Sequence, residues 1–152
     1  MTATATATGN ADILAAIRSP HLFAPWFRDT DTWAAWFAFL KTLFALPLSD
    51  ADRATFTECT GRTAPPAMPV TEAWLCIGRR GGKSQVLATV AVFLAVFRDW
   101  SDRLVPGESA LIQVIACDRK QARVIHRYAR AMLTRVPALA PLVATDTGDA
   151  IE

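Results

Sequence analysis

Ala73-Trp74-Leu75-Cys76-Ile77-Gly78-Arg79-Arg80-Gly81-Gly82-Lys83-Ser84 couples an unbroken apolar run to a glycine-rich segment that ends in a cation and a hydroxyl. Five apolar residues without polar alternation predict a strand covered on both faces, as in a parallel sheet. Glycine lacks a Cβ and reaches positive φ, so the residues that follow can fold backbone N–H groups around an anion. Lys83 then offers a charge to the β- and γ-phosphates of a nucleoside triphosphate, and Ser84 offers a hydroxyl to Mg²⁺. A helix expected from Gln85 to Phe97 aims the positive end of its dipole at the same point. The expected nucleotide site is therefore Gly78, Arg79, Arg80, Gly81, Gly82, Lys83 and Ser84, with ATP and Mg²⁺ as its ligands. In the usual spacing, G-x-x-x-x-G-K-[ST], the first glycine falls at position 77, where this chain has Ile77; Gly78 comes one residue late.

Downstream, the stretch from Gln85 to Phe97 is apolar all round, which predicts a helix buried between layers. Asp99 to Gly107 reads as a loop with Pro106-Gly107 at its turn, and Leu111 to Ala116 reads as a second strand. Strand, loop, helix and strand make a right-handed βαβ unit. The fold class expected is thus α/β: a P-loop NTPase-like parallel sheet with flanking helices, incomplete, preceded by a helical lead-in. Upstream, Trp33, Trp36, Phe37, Leu40 and Phe44 recur at helical spacing, with Asp31 or Thr32 as the expected cap and Pro47 beyond the end. A second helix is expected to start after Ser49, with Asp50 and Asp52 in its first turn, and to stop near Gly61. The boundaries that follow are a disordered tail at 1–10, a helical lead-in at 11–62, a proline-rich connector at 63–70 and the nucleotide-binding portion at 71–152.

Asp118 is placed to cap a helix from about Arg119 to Arg135. On a helical wheel Lys120, Arg123, Arg127 and Arg130 share one arc, opposite Ala122, Val124, Ile125, Tyr128, Ala129 and Met132. That arc is either a solvated basic face or a contact for DNA or a protein partner. The whole chain of 152 residues carries a net charge of only +2, too little to predict nucleic-acid binding from the global field. Apolar residues at 52% against charged residues at 20% exclude a disordered chain. Cys59, Cys76 and Cys117 form no disulfide or metal-binding pattern; Cys76 and Cys117 read as small core residues in a reducing cytoplasm. His21 and His126 have no ligand partners at metal spacing and read as structural. The longest nearly apolar stretch, Val86 to Phe97, is shorter than the ~18 residues of a membrane span.

These motifs resemble the N-terminal part of the large terminase subunit of tailed bacteriophages, an ATP-driven DNA-packaging motor. The resemblance covers about Trp33 to Val143 and is carried by the Trp33-to-Leu48 lead-in, Cys59 to Arg62, Ala73 to Ser84, and Val114 to Ala122. It implies phosphate and Mg²⁺ binding by Lys83 and Ser84, and a catalytic, charge-stabilising role in hydrolysis for Arg79, with Arg80 as the alternative. It also implies double-stranded DNA, a small terminase subunit and a portal as partners, a homo-oligomeric motor, and residence in the host cytoplasm. Hydrolysis in such enzymes needs an apolar strand ending in Asp-Glu, whereas Leu111 to Asp118 is followed by Arg119. The chain is accordingly expected to be a fragment that stops before the catalytic Asp-Glu and the nuclease domain, and to hold nucleotide without turning it over. The other functions compatible with these residues are a helicase-like P-loop ATPase and a non-catalytic interaction module.

Overall fold

The computed structural model describes residues 12–152; the expected tail at 1–10 lies outside the described residues. Two compact units contain them, Asp12–Gly81 and Gly82–Glu152.

The first unit begins with α1, Ile13–Arg18, which Asp12 caps by accepting a hydrogen bond from the Leu14 amide at 2.8 Å. After 3₁₀ turns at Ala24–Trp26 and Thr30–Trp33 comes α2, Ala34–Leu43. Neither Asp31 nor Thr32 caps α2. Both sit in the preceding turn, where the Thr32 hydroxyl donates back to the Asp29 carbonyl at 2.9 Å. Ile13, Leu14 and Ile17 of α1, Phe37 and Leu40 of α2, and the linking Phe23 and Phe27 are all buried. Each such side chain contributes about 1.5–3 kcal/mol on leaving water. Phe27 also meets Trp33 edge to face, with ring centroids 4.9 Å apart.

The next helix, α3, spans Asp50–Thr60 and follows the sequence expectation closely. Ser49 and Asp52 form a reciprocal capping box: the Ser49 hydroxyl accepts from the Asp52 amide, and Asp52 Oδ2 accepts from the Ser49 amide at 2.8 Å. Gly61 closes the helix in the left-handed conformation, at φ 69°. The Asp52 carboxylate also receives the Lys41 ammonium at 2.5 Å, which ties α3 to α2. Beyond α3, residues 61–81 form no helix or strand, and the connector is fastened by the Val70 amide to the Leu43 carbonyl at 3.1 Å.

The second unit is a helix pair. The first helix, α4, spans Lys83–Val96, the second, α5, Arg119–Arg135, and a 3₁₀ turn follows at Ala140–Leu142. Val86, Ala88, Val92 and Phe93 of α4 are buried, as is Met132 of α5. The buried Thr89 satisfies its hydroxyl on the Gln85 carbonyl at 3.0 Å and touches Met132 Sδ at 3.7 Å.

The expected parallel sheet is absent among the described residues: the architecture is all-α, and the single β-bridge pairs Asp146 with Ile151 in antiparallel sense. Residues 73–77 and 111–116 are without regular structure and make no backbone hydrogen bonds among the described residues. Trp74 is 89% exposed and Ile115 84% exposed. An apolar run records a tendency toward burial, but a strand also needs a neighbour for its N–H and C=O groups, and two short segments seldom sustain a sheet alone. With the sheet goes the burial expected of two cysteines: Cys76 and Cys117 are exposed. The all-round apolar α4 is covered by α5 rather than by a sheet, and Leu87 is left exposed.

Replacing Ser49 with Ala should cost about 1 kcal/mol of stability, read as a lower urea midpoint by circular dichroism. Burial pushes the Asp52 carboxyl up, yet the hydrogen bonds from Lys41 and Ser49 outweigh it and hold the group below its ordinary value of 3.8. Its contribution is therefore full above that value and is lost as pH falls through the lowered one. The stability gap between wild type and Asp52→Asn should be at its full size at about pH 7 and smaller at about pH 3. Met132→Ala should destabilise the Gly82–Glu152 unit by about 2–5 kcal/mol in the same measurement.

Candidate functional site

Glycine placement fixes the path of the loop ahead of α4. A Cβ on Gly81 would lie 2.6 Å from Ile77 Cγ2 and 3.3 Å from the Gly78 carbonyl, so a larger residue would force this turn open. The Gly81 amide points back at the Gly78 carbonyl across 3.4 Å, a weak closure. Arg80 takes a left-handed conformation at φ 62°, which costs a non-glycine residue about 1–2 kcal/mol, and Gly82 does so at φ 78° without that cost. The Trp36 indole N–H donates to the Gly81 carbonyl at 2.7 Å and anchors the turn to α2.

Gly82 is the N-cap of α4, and its carbonyl accepts from the Gln85 and Val86 amides, each at 3.1 Å. No side chain caps the helix. The Lys83 and Ser84 amides consequently have no acceptor among the described residues, at the positive end of a 14-residue helix. Arg79, Arg80 and Lys83 are exposed and Ser84 is half-buried. The seven residues expected to bind nucleotide thus supply three exposed cations, one hydroxyl and, at Lys83 and Ser84, two amides unpaired among the described residues. No group of three or more His, Cys, Asp or Glu side chains that could hold a metal occurs among the described residues. Ser84 is the one hydroxyl in this segment, and no carboxylate occurs in Gly78 to Ser84.

Helix α5 carries the second candidate surface. Asp118 caps it by accepting from the Gln121 amide at 2.9 Å and the Gln121 side chain at 2.8 Å; the backbone bond from Gln121 leads in holding its carboxyl below the usual range. Lys120, Arg123, Arg127 and Arg130 are all exposed, as the wheel predicts. Two carboxylates that sequence reasoning left without a role lie on this face. Asp146 receives Arg130 Nε at 2.6 Å, while Asp149 receives Arg119 and, at 3.4 Å, Arg123 Nε. The Arg119 hydrogen bond is the main reason that the Asp149 carboxyl is held below its ordinary value. No motif marks these acids, because the residues that they meet are 16 to 30 positions away.

Behind that face runs an open groove of about 360 Å³ between α4, α5, residues 111–114 and residues 148–151. His126 lines it, and His126 Nε2 is buried without a hydrogen-bond partner among the described residues. The histidine lies on the inner side of α5 among aliphatic side chains such as Val92, Ile125 and Leu133, where its sequence neighbours announce nothing. Among the described residues, no helix is long and apolar enough to cross a membrane. Comparison with known proteins finds no matching family model, curated protein or solved structure.

Proposed function

We propose that the chain binds a nucleoside triphosphate with Mg²⁺ through Gly78 to Ser84, as the ATP-binding part of a phage terminase large subunit. The observation that carries this reading is the uncapped start of α4: the Lys83 and Ser84 amides are unpaired among the described residues and the Lys83 side chain is exposed, while Arg79 and Arg80, also exposed, precede them in sequence. Backbone donors and a helix dipole favour an anion there, and the lysine selects for concentrated negative charge. Through the family resemblance, the loop arginines would meet charge that develops on a transferring γ-phosphoryl group, Arg79 first and Arg80 as its alternate. Duplex DNA, a small subunit and a portal belong to the reading through the family resemblance, as does assembly into a homo-oligomer in the host cytoplasm. The reading rests on the loop and its residues, without a supporting sheet.

A non-catalytic interaction module is the second reading. It is favoured by the exposed side chains of Trp74, Leu111 and Ile115, which offer apolar surface to a partner.

Titration of the chain with a fluorescent ATP analogue and Mg²⁺ separates the two. Saturable binding is expected, weakened about 10- to 100-fold by Lys83→Ala, the loss that follows from removing one charged hydrogen bond. Chelating Mg²⁺ should weaken it further. Binding unchanged in Lys83→Ala, or no binding by wild type, would reject the nucleotide site and leave the interaction module.

A further inference from the structure

The basic face of α5 is partly occupied by the chain itself. Residues 145–152 fold back as a short hairpin: the Glu152 amide donates to the Thr145 carbonyl at 2.8 Å, the Thr145 amide to the Glu152 carbonyl at 3.0 Å, and the Thr147 amide to the Ala150 carbonyl at 2.9 Å. Its two aspartates, three residues apart, engage Arg130 at one end and Arg119 with Arg123 at the other. Lys120 and Arg127 in the same row form no ion pair among the described residues.

We propose that this acidic hairpin is an internal stand-in for a nucleic-acid backbone, and that duplex DNA binds α5 by displacing Asp146 and Asp149 from its arginines. The carboxylates mark where anions settle on this face. From Lys120 to Arg130 the cations run about 15 Å along the helix at three- and four-residue steps, which suits a row of phosphates better than a single anion. None of the exposed large hydrophobic side chains lies on α5, so a protein segment would find no apolar anchor there. All three pairs are solvent-exposed on the arginine side, and such pairs are weak and easily exchanged. The inference does not depend on nucleotide binding at residues 78–84.

Fluorescence anisotropy of the chain with a random 20-base-pair duplex, over a salt titration, tests this. Asp146→Asn with Asp149→Asn should tighten binding at least about threefold at low salt, because exposed pairs each shift an equilibrium by a small factor. The log–log salt slope should steepen by about one to three, since each added phosphate contact contributes about 0.9. Asp31→Asn with Glu58→Gln makes the same charge change on exposed residues of the other unit and should have a smaller effect. Adding Arg123→Ala, Arg127→Ala and Arg130→Ala to the aspartate variant should abolish the gain. The single Asp149→Asn variant should give an intermediate gain, with helical content in circular dichroism confirming that the variants fold. Equal effects from the two acid-to-amide pairs, or DNA affinity that survives loss of the three arginines, would overturn the proposal. Binding of a polyglutamate peptide without binding of DNA would overturn it in favour of an acidic protein partner.

Discussion

Closure of α5 over α4 is the contact on which the Gly82–Glu152 unit depends. Met132 is fully buried, and it meets Thr89 at the middle of a helix that presents Val86, Ala88, Val92 and Phe93 to the same interior. Deleting a core side chain of that size removes both its transfer free energy and its packing contacts. The contact also fixes two orientations at once. It turns the arginines of α5 outward, and it leaves Lys83, in the first turn of α4, exposed.

Local signals in the sequence are legible for α3 and α5, though not for the start of α2, where Asp31 and Thr32 fall in the preceding turn. Ser49, Asp52 and Gly61 define α3 through bonds that reach three or four residues, and Asp118 does the same for α5. The amphipathic arc of α5 follows from the 3.6-residue period alone. Long-range pairing was not legible. The apolar runs at 73–77 and 111–116 have the composition of buried strands, but nothing in either run specifies a hydrogen-bonding neighbour, and the structure leaves both unpaired among the described residues. The same distinction explains Cys76 and Cys117, whose expected burial depended on that sheet.

The candidate site divides along the same line. Gly78 to Ser84 is contiguous, so its residues were identifiable by type and spacing, although the uncapped start of α4 is a feature of the backbone. On α5 the cations were legible and their carboxylate partners were not, because the turn that returns Asp146 and Asp149 to the helix depends on backbone pairing across 145–152. His126 is the extreme case: only the packing of α4 beside α5 makes its ring nitrogen a buried, unpaired polar atom.

The bond from Trp36 to Gly81 has an electronic consequence as well as a mechanical one. The carbonyl that accepts the indole proton belongs to the peptide group that carries the Gly82 N–H. Drawing electron density toward that oxygen leaves the nitrogen end of the same amide more positive, since linked hydrogen bonds polarise one another. The Gly82 N–H makes no hydrogen bond among the described residues. An aromatic side chain on α2 therefore strengthens the donor that stands immediately before Lys83.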